Sequence, residues 1–187
     1  MAPADRSKSS LRKDIVVLVI ILAALAALVV PVFLQTYQTS VALKCRQQLG
    51  QVFAAVQSYV LGSGGYPPGS AGPGTDWRRA VTRFLDPDEV RPDGSSGVWT
   101  CPGGGGYVGN GQVLAPPGRP LGSFRLRVEV GLVADGSPSN QAAGSGNADS
   151  IEWRHRGGAN ILFLDGHVEL VPRDRGARIR RHWNAPQ

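Results

Sequence analysis

The longest uninterrupted apolar block of the chain lies near its N-terminus. Residues 15–34 read IVVLVIILAALAALVVPVFL and contain no charge, side-chain amide or hydroxyl group. Because an α-helix rises 1.5 Å per residue, a helix of this length extends ~30 Å, the thickness of a bilayer's hydrocarbon core. The block predicts a transmembrane helix.

A secretory signal peptide is the competing interpretation of this block. Its apolar region usually spans ~7–15 residues and precedes a cleavage site of small residues. Here Pro31 lies inside the apolar run, and the sequence after it continues with helical spacing. We therefore expect an uncleaved anchor.

A single helix is predicted over residues 11–61, which contain one glycine and one proline. A bend is expected at that proline, Pro31, because proline lacks a backbone N–H donor. After the apolar block, apolar residues recur every three or four positions, which predicts a face that packs on a folded body. This stripe consists of Val41, Cys45, Leu49, Val52, Val56 and Tyr59.

The body that follows is rich in glycine and proline, which is typical of short elements joined by loops. Residues 76–85 predict a short helix capped by Thr75. Residues 98–101 predict a short strand, and residues 123–135 predict a strand with one buried face.

Residues 159–171 carry two apolar runs around Asp165 and Gly166. An Asp-Gly pair between such runs favours a hairpin with a type I′ turn. Together the elements predict a loop-rich α+β fold, in which a long N-terminal membrane-spanning helix packs on a small antiparallel sheet.

The flanking charges predict the orientation of the helix. Four basic residues precede the apolar block, whereas Lys44 and Arg46 are the nearest basic residues after it. By the positive-inside rule we expect a single-pass protein of the inner (cytoplasmic) membrane, with a cytoplasmic N-terminus. The predicted segments are a cytoplasmic tail (1–14), the transmembrane segment (15–34), the extramembrane half of the helix (35–61), an extracytoplasmic β-rich domain (62–172) and a basic C-terminal tail (173–187).

The charge distribution argues against nucleic acid as a partner. The whole chain carries a net charge of +6, but residues 62–172 contain nine arginines and eleven acidic residues. The positive charge therefore lies at the two ends, where membrane flanks and a tail explain it. The arginines of residues 173–181 are compatible with anionic lipid or nucleic acid, but a solvated tail is the simpler interpretation.

Few residues of the chain point to chemistry. His155, Asp165 and His167 resemble metal ligands or an acid–base pair, but no further cluster completes a catalytic zinc site. We interpret Asp165 and Gly166 as turn residues and His155 as a hydrogen-bonding residue, and we expect no enzymatic activity, metal or cofactor. Cys45 and Cys101 both fall on the predicted extracytoplasmic side, where they form either a disulfide or two separate buried thiols.

The chain resembles the type IV pilin-like pseudopilins, specifically the prepilin-type family with a His-x9-Asp-Gly element. That element is HRGGANILFLDG, in which nine residues separate His155 from Asp165 and Gly166. Other segments with a similar counterpart in the family are residues 44–59, 66–69, 99–102, 107–110 and 130–136. The resemblance implies a pilin-like fold and an assembly role for an acidic residue seventeen positions before the proline, which is Asp14.

The N-terminus departs from the family pattern. The positions of the cleaved glycine and the following phenylalanine hold Ser9 and Ser10, and Arg12 and Lys13 replace apolar residues. Asp14 accordingly has two interpretations. It neutralises the N-terminal amine of a neighbouring subunit, or it is an interfacial carboxylate balanced by Arg12 and Lys13.

These observations lead to three functional hypotheses. The favoured one is a membrane-anchored pseudopilin-like structural protein of a type II secretion or type IV pilus-like apparatus, whose partners are the lipid bilayer and other pilin-like subunits or copies of itself. The alternative is a membrane-tethered extracytoplasmic binding module that uses the same scaffold without polymerising. A hydrolase that uses His155 and Asp165 is the least favoured.

We predict that prepilin peptidase does not process this chain. Burial of a Lys or Arg at mid-membrane depth costs ~2.5–3.5 kcal/mol, so Arg12 and Lys13 should stay at the cytoplasmic interface. N-terminal sequencing of the protein purified from membranes should find the residues before Ser10 still present. A mature chain that begins at Ser10 would contradict this.

Overall fold

The computed structural model describes residues 6–69, 76–90, 97–114, 118–124, 128–136, 145–175 and 183. It confirms the α+β class: one long N-terminal helix is followed by a small, largely antiparallel sheet. The helices are α1 (Arg6–Ser63) and α2 (Trp77–Thr82), and the strands are β1 (Gly106–Asn110), β2 (Gly131–Gly136), β3 (Ser145–Gly146), β4 (Gly158–Phe163) and β5 (Val168–Pro172).

The chain forms two compact units, Met1–Thr39 and Ser40–Gln187. The described part of the first unit is helical, and α1 continues through Pro31 without interruption, as the single-helix prediction requires. Its large apolar side chains from Ile15 to Leu34 are all more than half exposed. Among the described residues, one helix is long and apolar enough to cross a membrane, by length and composition, and it contains this segment.

A glycine closes the C-terminal end of α1. Gly64 adopts a positive φ of 75°, and its N–H donates to the Val60 carbonyl at 2.8 Å. Glycine enters this left-handed region without steric cost, so it closes the helix.

The sheet has the strand order β3-β1-β2-β4-β5. The pairs β1–β2, β2–β4 and β4–β5 are antiparallel, as predicted. The two-residue strand β3 differs, because it pairs with β1 in the parallel direction.

One face of the sheet packs on α1. The predicted stripe of α1 is confirmed, since its central residues are fully buried against the sheet while Val41 and Tyr59 are partly buried at its ends. From the helix the core contains Cys45, Leu49, Val52 and Val56, and from the sheet side it contains Tyr107, Leu132, Leu162, Leu164 and Val168.

The opposite face of the sheet is also buried, which explains why β4 is apolar at nearly every position. Ala159, Ile161 and Phe163 of β4 pack there with Ile151 and Trp183. The burial of Trp183 corrects the expectation of a tail without a core role. Its ring leaves no room at Gly131, where a Cβ would lie 2.8 Å from the ring.

Three local predictions were wrong. Residues 98–101 are not a strand: Gly97–Trp99 forms a 3-10 turn, in which residues three apart share a side, and Val98 and Cys101 are both buried. Of the strand predicted over residues 123–135, the described part is a strand only from Gly131: Ser123 ends a 3-10 turn, Val128 lies exposed in a turn, and residues 125–127 lie outside the described residues. Asp76 caps α2 by accepting from the Arg78 N–H at 3.0 Å, whereas Thr75 lies outside the described residues.

The type I′ turn was predicted at the wrong hairpin. Between β4 and β5, Gly166 has a φ of 98°, but Asp165 has no positive φ. The Gly166 N–H donates to the Phe163 carbonyl at 3.0 Å, and the turn continues into a left-handed glycine, which is the three-residue hairpin form. Arg156 and Gly157, with φ values of 52° and 75°, form the two-residue turn that has positive φ at both positions.

Gly166 also contacts the helix, which distinguishes it from Gly157. A Cβ at Gly166 would lie 2.4 Å from the Phe53 ring of α1, whereas a Cβ at Gly157 would meet no atom of the described residues within 4 Å. The absence of a side chain at Gly166 therefore allows the β4–β5 turn to approach α1.

We predict that Gly166→Ala destabilises the protein more than Gly157→Ala. Both variants place alanine at positive φ, which costs ~1–2 kcal/mol, and Gly166→Ala adds overpacking against Phe53 of about 1–3 kcal/mol. Chemical unfolding of the full-length protein in detergent measures both values. Adding Phe53→Leu should recover part of the lost free energy of unfolding in Gly166→Ala but not in Gly157→Ala. Equal losses in the two alanine variants would contradict the proposed contact.

Candidate functional site

The most chemically distinctive part of the structure is the junction where α1 meets the sheet. A disulfide joins Cys45 of α1 to Cys101, with the two Cα atoms 5.2 Å apart. Cys101 begins a tight loop that leads into β1: its N–H donates to the Gly105 carbonyl at 3.1 Å, and its carbonyl accepts from the Gly104 N–H at 2.9 Å. Both cysteines are buried. The helix is thus fixed covalently to the loop before β1.

His155 lies directly against this disulfide. Its Nε2 atom is 3.4 Å from Cys101 Sγ and 3.4 Å from the Oδ2 atom of Asp135. Asp135 belongs to β2 and is fully buried, and His155 is 5% exposed. Oδ2 also accepts from the Asn160 N–H at 2.6 Å, whereas Oδ1 is buried and has no hydrogen-bond partner in the part of the chain that the structure describes. An imidazole, a carboxylate and a disulfide therefore share one buried space.

Tyr107 closes the junction on the helix side. Its hydroxyl donates to Gln48 Oε1 at 2.8 Å and lies 3.2 Å from the Cys45 carbonyl oxygen. Burial raises the pKa of Tyr107 far above its usual range, and the carboxylate of Asp135 adds to this rise, while the Arg154 guanidinium opposes it. The phenol consequently remains a protonated hydrogen-bond donor.

Arg154 connects the junction to the neighbouring loops. Its guanidinium donates to the carbonyls of Gly104 and Gly136 and pairs with Glu152 at 2.6 Å. Gly105, at a φ of 71°, leaves the space that the guanidinium occupies, since a Cβ there would lie 2.5 Å from it. The cation thus positions the segment that carries His155.

The structure separates His155 from Asp165. They lie at opposite ends of β4, a six-residue strand that extends ~20 Å. Asp165 is in the β4–β5 turn, where its Oδ1 is 2.6 Å from His167 Nδ1, and His167 stacks on Phe163 with ring centroids 4.3 Å apart. A catalytic pair of His155 and Asp165 is therefore excluded by distance.

The His-x9-Asp-Gly spacing corresponds to the length of β4 and the turns at its two ends. At one end of β4, His155 contacts the disulfide that holds Cys45 of α1, and at the other end Gly166 contacts Phe53 of the same helix. The nine intervening residues span the strand between these two contacts.

Two predicted site residues lie elsewhere. Asp14 and Pro31 are exposed positions of α1 within the first unit. The side chain of Arg12 lies outside the described residues, so its predicted interfacial position stays a prediction.

The sequence prediction missed Asp135, Tyr107 and Arg154. The acidic residue in VGLVADG is the one signal that was available, because a carboxylate at the end of an apolar run is unusual for a buried strand. Its contact with His155 depends on sheet pairing, which a single sequence does not reveal.

We predict that Tyr107 contributes an alkaline loss of stability. Above pH ~10 the unfolded phenol ionises while the folded one keeps its proton, so the free energy of unfolding should fall by up to ~1.4 kcal/mol per pH unit. In Tyr107→Phe this slope should be smaller, whereas Tyr37→Phe, at an exposed tyrosine, should keep it. Chemical unfolding between pH 8 and pH 11 measures the slopes, and equal slopes in all three proteins would contradict the assignment.

The chain matches no protein-family model, no curated protein and no solved structure.

Proposed function

We propose that this chain is a membrane-anchored, pseudopilin-like structural protein of a type II secretion or type IV pilus-like apparatus. Its N-terminus lies in the cytoplasm, and its sheet domain lies on the far side of the inner membrane. The observation that carries the proposal is that one helix has two kinds of surface: an exposed, uncharged segment over residues 15–34 and a stripe that is buried against the sheet.

The exposed segment requires an apolar environment. Its large apolar side chains are 51–70% exposed, far beyond what a monomer in water tolerates over a contiguous surface. At roughly 25 cal/mol per Å² of apolar surface removed from water, either a bilayer or a bundle of such helices would stabilise it. Both environments occur in the life of a pilin-like subunit, which is held in the membrane before it is assembled.

Two contacts at the ends of β4 support a structural role. Among the residues of the family motif, Gly166 contacts Phe53 of α1, and His155 contacts Cys101, which is bonded to Cys45 of α1. In this proposal the motif builds a rigid subunit, and the chain is not an enzyme.

The N-terminal residues favour a second candidate function. Ser9 and Ser10 replace the residues of the usual maturation site, and Arg12 and Lys13 add charge where the family is apolar. A chain that keeps these charges at the interface is suited to remain in the membrane as a tethered binding module. Asp14 then balances Lys13 and Arg12, whereas in the assembled form it would face the amine of a neighbouring subunit.

Site-specific photocrosslinking in cells separates the two candidates. A photoreactive residue in place of Leu28, which is 70% exposed, should yield a ladder of adducts between copies when the secretion ATPase is present. The matched control replaces Leu170, an exposed leucine of β5, and reports random collision. Monomers alone at Leu28 would reject assembly and favour the tethered module, and a soluble chain without membrane association would reject both.

A further inference from the structure

We propose that the dithiol form of this protein binds one zinc ion at the position of the disulfide, through Cys45, Cys101 and His155, with Asp135 as the fourth donor. The Sγ atoms of the two cysteines and one ring nitrogen of His155 lie within 4.8 Å of one another. This inference does not rest on the proposed function, because it concerns the local chemistry of the junction alone.

The distances at the junction fit a tetrahedral ion. Zn–S bonds of ~2.3 Å and Zn–N or Zn–O bonds of ~2.0–2.1 Å imply sulfur-to-nitrogen separations of about 3.6 Å and nitrogen-to-oxygen separations of about 3.3 Å. The observed distances are 3.4 Å from Cys101 Sγ to His155 Nε2 and 3.4 Å from His155 Nε2 to Asp135 Oδ2. Opening the disulfide is the main movement that coordination requires.

The incompletely paired carboxylate of Asp135 independently points to a ligand. Oδ1 is buried and has no hydrogen-bond partner among the described residues, and a buried polar group in that state costs ~1–3 kcal/mol. The other oxygen is oriented by the Asn160 N–H at 2.6 Å, as ligands of metal sites commonly are. The distances above make Oδ2 the coordinating atom, and a divalent cation there would neutralise this buried, incompletely paired carboxylate.

The surroundings favour zinc over calcium or magnesium. Two thiolates and an imidazole suit zinc, whereas calcium and magnesium take oxygen ligands. The site lies in the apolar core between α1 and the sheet. Gly103 keeps space beside it, since a Cβ there would lie 3.0 Å from the His155 ring and 3.5 Å from Cys101 Sγ.

Conversion of the disulfide into the zinc site requires a dithiol reductant. A dithiol reductant gives two electrons and two protons to the Cys45–Cys101 bond and becomes a disulfide itself, which leaves two protein thiols. Zinc then replaces the two thiol protons, which pass to the solvent. The disulfide and the zinc ion cannot be present together, because both use the sulfur atoms of Cys45 and Cys101. Either one would link α1 to the sheet, and oxidation of the two thiolates would release the zinc.

Cobalt binding to the full-length protein in detergent tests this inference. The protein is reduced, freed of reductant under anaerobic conditions and titrated with Co²⁺. We expect one ion per chain, thiolate-to-cobalt charge-transfer absorption and the intense visible bands of a tetrahedral ion, all abolished by one equivalent of Zn²⁺. Zinc should also raise the thermal unfolding midpoint of the reduced protein. The oxidised protein, with the same sequence, should show neither effect.

Variants distinguish this site from adventitious binding to two thiols. Cys45→Ser should abolish the charge-transfer band, and His155→Gln should weaken Co²⁺ binding at least tenfold, whereas His167→Gln, at the exposed histidine, should change nothing. His155→Cys covers the case in which His155→Gln folds poorly. It supplies a third thiolate, so it should bind Co²⁺ and strengthen the charge-transfer band.

The inference is overturned if the reduced wild-type protein shows no charge transfer, if the oxidised protein binds equally well, or if His155→Gln binds Co²⁺ as the wild type does.

Discussion

The covalent bond between Cys45 and Cys101 is the constraint on which the arrangement of α1 and the sheet depends. It closes a loop across 56 positions of sequence, which in the chain-entropy model contributes about 4 kcal/mol. The bond fixes one point of the helix, and the contact of Gly166 with Phe53 fixes a second point, two turns further along. The buried stripe of α1, which runs past both points, packs on the first face of the sheet. The helix can therefore neither slide nor rotate on the sheet without breaking a specific contact.

This rigidity gives the exposed N-terminal part of α1 its significance. A helix that ended at the edge of the sheet would need no further environment, but α1 carries twenty uncharged residues beyond its packed part. In the proposed function, that segment contacts lipid or neighbouring copies of the protein. The task of the junction is then to hold α1 and the sheet together as one subunit. The buried polar groups of the junction are compatible with this task, because His155, Asp135 and Tyr107 are held inside the protein.

Periodicity was sufficient to predict α1, its packed face and the α+β class, because each depends on local spacing of apolar residues. The details that failed depend on contacts between distant residues. Asp165-Gly166 was the stronger local signal for a type I′ turn, yet the structure places that geometry at Arg156-Gly157. Trp183 was assigned to a solvated tail because no period surrounds it, and its burial against Gly131 is a tertiary contact. The junction was predicted in part: both cysteines and His155 were identified, but their meeting with Asp135 follows from strand pairing that the sequence does not encode locally.

Disulfide mapping tests directly whether Cys45 and Cys101 join the helix to the sheet domain. The full-length protein is extracted from membranes into acid, its free thiols are alkylated, and its peptides are analysed by mass spectrometry without reduction. We expect one linked pair of peptides that contain Cys45 and Cys101, with little alkylation of either residue. Full alkylation of both cysteines in the protein from its native membrane would contradict this linkage.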